Sequence, residues 1–258
     1  MIQITAVNEY NQQIQLTGSA SIKLTQVTGL TPPKANVNTS ALATKDGSIF
    51  NSSRVQNRNI VLTIYPAKSI EQTRVDLYKY FKTKHPIKLK IQTATRRVWI
   101  EGHIESMEGD LFAKSQKIQI SIICPDPYFK SETTTVVAFE NLTADMNNQS
   151  DDETGVVVEL TATGAAQGIT ITNTTTGESF TTNQQMAQGD KIILNTRRGE
   201  KSLVLVAGGT TTNIINTMEP GSDWFSLIPG HNIFTIQAEA GVANLTARLI
   251  LQPIFEGV

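Results

Sequence analysis

Apolar and polar residues alternate with a period of two through much of the first half of the chain. Ile22/Leu24, Ile60/Leu62/Ile64, Ile87/Leu89/Ile91, Val98/Ile100 and Ile118/Ile120/Ile122 each set apolar side chains on one face of an extended segment, which is the pattern of strands buried on one side. One stretch breaks the period. In "SIEQTRVDLYKYFKT", Ser69 and Gln72 have the spacing of a capping box, Arg74, Leu77, Tyr78 and Phe81 share a helical face, and Pro86 bars continuation, so a single helix is predicted here. Beyond residue 135 the pattern is strand and turn. "GITITNTTTGESFTT" and "DKIILNTRRGEKSLVLV" read as hairpins, and "DWFSLIPGHNIFTI" and "ANLTARLIL" supply further strands. With no helical period, a β-sandwich is the economical arrangement for this half.

Between Leu30 and Asn59 the periodicity fades. "LTPPKANVNTSALATKDGSIFNSSRVQNRN" is rich in Pro, Asn, Ser and Thr, and an unstructured segment of that length inside a compact domain is functional, ordered by a partner, or disordered. Leu42, Ile49 and Phe50 are apolar anchors that a purely solvated loop does not need.

The length of 258 residues points to two domains. The net charge of −1 conceals an asymmetry: residues 1–130 hold 17 Lys and Arg against 9 Asp and Glu, and residues 131–258 hold 5 against 14. That shift coincides with "CPDPYF" and marks the expected boundary, giving domains 1–130 and 131–258. No apolar run reaches the ~18 residues of a membrane span. The N-terminus "MIQITAVNEY" alternates as a strand does and lacks a basic and apolar leader, so neither a membrane location nor signal-directed export is expected.

Candidate chemistry is sparse. The lone cysteine, Cys124, follows the strand Ile118 to Ile123 and precedes Pro125, a placement that favours a small buried hydrophobe over a nucleophile beside Asp126. His85, His103 and His231 fall in no catalytic or zinc-binding pattern. "EGHIESMEGD" is the one place where a glycosidase-like carboxylate pair is conceivable, but Glu101, His103 and Glu105 alternate with Ile100 and Ile104 and read as an exposed strand face. Asp151, Asp152 and Glu153 in "NNQSDDETG" depart from the calcium-loop spacing and read as a solvated turn. Lys88 and Lys90 alternate with buried positions, so a solvated face is favoured over a nucleic-acid patch. Trp99 and Trp224 lie in apolar patterns, and core packing is expected of both.

Several segments, in order and spacing, resemble the distal tail protein (Dit) family of long-tailed phages that infect Gram-positive bacteria: "TGLTPPKA", "KDGSIFNSSRVQNRNIVLTI", "EQTRVDLYKYF", "VWIEGHIESMEGDLFAKSQKIQISIICPDPYF", "ILNTRRGEKSLVLV" and "DWFSLIPGHNIFTI". The resemblance implies a mainly β protein: an N-terminal belt domain, a tail-tube-like split barrel with one α-helix, followed by a galectin-like β-sandwich. It also implies a structural role at the distal end of the virion tail, with no enzymatic activity and no cofactor or metal. Six belt domains would close into a ring, single or stacked, that joins the tail tube protein to the tail-associated hub protein and anchors receptor-binding proteins, with DNA passing through the lumen without specific binding. The segment 30–59 becomes an arm for subunit or tube contacts, where Asp46, Gly47, Phe50, Arg54 and Arg58 match the family's loop pattern. Leu42 and Phe50 would anchor it, and Arg54 and Arg58 would meet acids such as Glu105, Glu108 and Asp110. The alternative reading is a carbohydrate-binding sandwich for host attachment. The sandwich lacks the large insertion of longer members, so no grafted sugar-binding module is implied.

Overall fold

A computed structural model describes residues 2–44, 46–109, 112–113 and 116–258. The chain forms two compact units, Met1–Glu132 with Phe255–Val258, and Thr133–Ile254. The boundary read from the charge shift assigns the last four residues to the second domain, whereas the structure packs them into the first unit.

The first unit contains β1 (Gln3–Asn8), β2 (Gln13–Gln15), β3 (Ile22–Thr28), β4 (Ala35–Ala41), β5 (Ser48–Val55), β6 (Arg58–Pro66), α1 (Ile70–Tyr80), β7 (Pro86–Gln92), β8 (Arg97–Gly109), β9 (Ile118–Cys124) and β10 (Phe129–Ser131). Its main sheet runs β2-β1-β7-β8-β9-β6-β3, with β10 paired to β8 off that path. Alternation along the strands does what the pattern predicts. Ile60, Leu62, Ile64, Ile87, Leu89, Ile91, Val98, Ile100, Ile118, Ile120 and Ile122 all point into one core, which Leu77 and Phe81 of the α1 segment close.

The helix forms where expected, but its details differ. Ser69 lies in the left-handed region (φ 45°, ψ 62°) and makes no side-chain cap. Gln72 instead donates to Asp76, and the Thr73 hydroxyl donates to the Lys68 carbonyl at 2.7 Å. The buried face is Thr73, Leu77 and Phe81, a four-residue spacing, while Tyr78 is exposed. The capping box therefore does not form, because a left-handed Ser69 does not adopt the extended backbone that an N-cap requires.

The second unit contains β11 (Thr135–Ala138), β12 (Thr143–Asn148), β13 (Val157–Ala162), β14 (Gln167–Asn173), β15 (Glu178–Thr182), β16 (Lys191–Asn195), β17 (Ser202–Ala207), β18 (Thr210–Asn213), β19 (Gly230–Ala240) and β20 (Leu245–Leu251); β21 (Ile254–Phe255) leads back to the first. Sheets of order β11-β20-β13-β16-β17-β18 and β12-β19-β14-β15 contribute side chains to one shared core. Val158, Leu160, Leu194 and Leu249 come from the first sheet, and Met146, Ile171, Phe180 and Phe234 from the second. This is a β-sandwich, and both predicted hairpins are present as β14–β15 and β16–β17. Edge-to-face aromatic pairs fix the packing, Phe225 on Phe234 at 5.3 Å and Phe180 on Trp224 at 5.4 Å.

Candidate assembly interface

The segment of weak periodicity is an ordered antiparallel hairpin, β4–β5, which forms a two-stranded sheet of its own. Gly47 turns it at φ +91°, a conformation that favours glycine. None of the described residues among 35–55 enters the core of the unit. Sequence patterning missed these strands because neither face is buried, so no alternation is enforced. What holds them is backbone pairing and a ladder of polar side chains: Asn38 donates to Ser52 at 2.9 Å, Asn51 to Ser40 at 2.6 Å, and Gln56 to Asn36.

The register shifts once. Asn38 pairs with Ser52 and Thr39 with Phe50, so Asn51 is an extra residue, a β-bulge. Directly opposed residues share a face, and the two faces of the ribbon therefore differ in chemistry. Asn36, Asn38, Ser40, Ile49, Ser52 and Arg54 populate one, with Asn51 donating to Ser40 there, while Ala35, Val37, Thr39, Ala41, Ser48, Phe50, Ser53 and Val55 lie on the other. With regular alternation, Phe50 would oppose Ser40 on the polar face. The bulge carries it to the side of Val37, where Phe50 is 61% and Val37 59% exposed. Leu42 and Ile49 are exposed as well, and Asp46 and Arg54 stand in solvent.

Arg58 is not a guide on the arm. It opens β6, is only 3% exposed, and stacks over the Phe129 ring at 4.4 Å. Its guanidinium donates to the carbonyls of Pro127 and Thr31 at 2.6 Å, to Glu256 at 2.6 Å, and to Gly29. Burial lowers its pKa from the ordinary arginine value, which still leaves an arginine charged at neutral pH. This single cation ties the root of the hairpin to the strand end at Pro127 and to the C-terminal segment. Arg96 reinforces that segment by stacking on Phe255 at 4.3 Å and donating to the Gly257 carbonyl. Gly29 has φ +83°, and a Cβ there would sit 2.2 Å from the Asn59 carbonyl oxygen, so the root admits no side chain at that position.

Of the acids expected to receive the arm, Glu105 and Glu108 are exposed on β8, and Glu105 accepts a hydrogen bond from Ser121 at 2.7 Å; Asp110 lies outside the described residues. Glu101, His103 and Glu105 share the exposed face of β8. Trp99 corrects an expectation. It stands half-buried on that same outer face, with the ammonium groups of Lys88 and Lys130 at 4.4 Å and 5.4 Å from its ring, and not in the core. Cys124 is buried, and desolvation pushes its thiol up to about 12. Among the described residues no group of three or more His, Cys, Asp or Glu side chains is placed to hold a metal ion.

Residues 11–138 match the phage tail protein RIFT-related domain, and residues 149–248 match the C-terminal domain of the siphovirus-type tail component. The chain belongs to the siphophage distal tail protein family. It is therefore a structural component of a phage tail. No curated protein matches it. Among solved structures it is similar to Dit of phage SPP1, described as a hub of the adsorption apparatus in phages infecting Gram-positive bacteria, with TM-score 0.75 and 13% identity over 98% of this chain and 99% of that one. It is also similar to a chain of the phage P2 baseplate in its activated conformation with calcium, at TM-score 0.56 and 11% identity over the whole of both chains. The same baseplate with strontium gives 0.53 and 12%. At these identities the likeness is one of fold.

Proposed function

We propose that six copies of this tail component close into a ring at the distal end of the tail. The ring joins the tail tube protein to the tail-associated hub protein, lets DNA through its lumen without specific binding, and presents the sandwiches as anchors for receptor-binding proteins. In this reading the first unit is the ring-forming belt and the second a galectin-like domain. Family membership supports it, as do the roles of the structural neighbours, an adsorption-apparatus hub and a baseplate. The observation that carries it is the β4–β5 hairpin, a projecting ribbon with an apolar face that none of its own chain's core residues covers. Leu42, Asp46, Gly47, Phe50 and Arg54 remain the proposed contact residues, and Arg58 becomes the anchor that orients them.

Replacing residues 36–56 by a short Gly/Ser bridge tests this reading. Because no described residue among those deleted belongs to the core, the variant keeps its thermal transition and loses only the hairpin's share of the strand signal in circular dichroism. Light scattering and negative-stain imaging are expected to show rings for the wild type and smaller species for the variant. Normal rings that cap purified tubes with unchanged affinity overturn the arm's role. A carbohydrate-binding module instead requires an exposed stacking aromatic, and the exposed large hydrophobic side chains of the second unit are Val136, Ile215 and Ile233.

A further inference from the structure

A ring built from one kind of subunit needs two different surfaces on each copy, one complementary to the other. The first unit has a second exposed apolar surface besides the arm. On α1, Val75 and Tyr78 are 40% and 46% exposed, with Ile70 exposed in the first turn. Glu71, Val75 and Tyr78 follow an i, i+4, i+7 spacing and form a stripe, on the side turned away from buried Thr73 and Leu77. Just beyond the helix, the Lys82 ammonium lies 5.1 Å from the exposed Tyr10 ring.

The geometry points to the exposed stripe of α1 as the surface on which the Val37/Phe50 face of a neighbouring copy's hairpin docks. The inference rests on the ring reading above and specifies its contact. Charge supports the pairing and gives it a direction. Asp46 at the arm's tip makes no ion pair among the described residues. Lys82 and Lys84 follow the helix's end. From Ser48 to Arg54 the strand covers about 20 Å, and from Glu71 to Lys82 the helix and its cap cover about 17 Å. With the tip of the arm at the end of α1, Asp46 faces Lys82 and Lys84 and Phe50 meets Tyr78 and Val75, while Arg54 lies on the face away from the helix. The polar ladder of the hairpin then faces water.

The only native cysteine is buried, with a thiol that resists ionisation, so introduced surface cysteines report without background. The full-length double variant Phe50→Cys/Tyr78→Cys is oxidised at assembling concentration and run without reductant, beside Asn38→Cys/Tyr78→Cys, whose arm cysteine is on the polar face. Both keep their fold by circular dichroism because the altered side chains lie outside the core. The expected result is a ladder of disulfide-linked multimers up to the closed ring from the first pair and none from the second. Equal ladders from both pairs, or no ladder from a first pair that light scattering shows to be oligomeric, overturn the docking. A wild type that stays monomeric at every concentration removes the ring itself and the docking with it.

Discussion

At the scale of single residues, Arg58 shows how far a side chain's role depends on its surroundings. An arginine in a polar stretch reads as a surface charge, yet this one has four carbonyl acceptors and an aromatic face around a buried guanidinium. Substituting Arg58→Met strands those carbonyls, and hydrogen bonds to a charged group contribute roughly 1.5–3 kcal/mol each where they are buried. The expected loss is on the order of 3–5 kcal/mol, read by urea unfolding of the first unit in a Trp224→Phe background where Trp99 is the reporter. A change below about 1 kcal/mol would mean that the root is held by something else. Cys124 makes the opposite kind of statement. The unfolded thiol ionises near 9 and the buried one only near 12, so its folded pKa is raised. Its contribution to stability is fully present below pH 9 and is lost as the pH rises from 9 towards 12, at up to about 1.4 kcal/mol per pH unit. Cys124→Ala should lose modest stability at neutral pH and show a shallower alkaline decline than the wild type. Rapid labelling of the native thiol by a bulky maleimide would contradict its burial.

At the scale of elements, the hairpin holds one inserted residue. Deleting Asn51 removes the bulge and leaves Phe50 paired with Thr39 on the side of Val37, so this variant should still assemble, whereas Phe50→Ser, which keeps the pairing and removes the aromatic ring, should not. Both should fold with unchanged thermal stability, since the hairpin adds nothing to the core. Assembly of Phe50→Ser at wild-type concentration in light scattering would show that Phe50 is irrelevant. Helix α1 carries a related lesson. Its existence and extent were legible in the apolar spacing and in Pro86, as was the burial of Leu77 and Phe81, but the exposure of Tyr78 was not, because Tyr78 and Leu77 are both apolar and adjacent. Only the sheet beneath leaves Tyr78 outside.

At the scale of the whole molecule, the ring reading predicts a particle of six times the 28.2 kDa chain mass, or twelve times for stacked rings. Multi-angle light scattering checks this, and a lone 28.2 kDa species at virion-like concentration would defeat it. The sandwich leads to a further expectation. Trp224 packs edge-on against Phe180 and partly into the core, so it offers no open stacking platform, and simple saccharides should give no heat in calorimetry. Saturable binding would restore the carbohydrate-binding alternative.

The sequence by itself determined the strands of both cores, the existence of the helix and the two sandwich hairpins. A half-buried strand or helix writes its local period into its own residues, and burial of Ile60, Leu62 and Ile64 is the same fact as their alternation. The order of its segments also carried the resemblance to the tail family. Tertiary structure alone decided four other matters. The arm is a hairpin whose strands are held by backbone pairing that leaves no apolar signature, and its two faces are assigned by a bulge that no residue type announces. Arg58 is an internal anchor because Pro127, Thr31 and Glu256, distant in sequence, converge on it. Trp99, which alternation along β8 sets on the face opposite Val98 and Ile100, is half-buried there because lysines from β7 and β10 are brought over its ring. Each of these depends on which segments meet across long stretches of chain, and the pattern within a single segment holds no record of that.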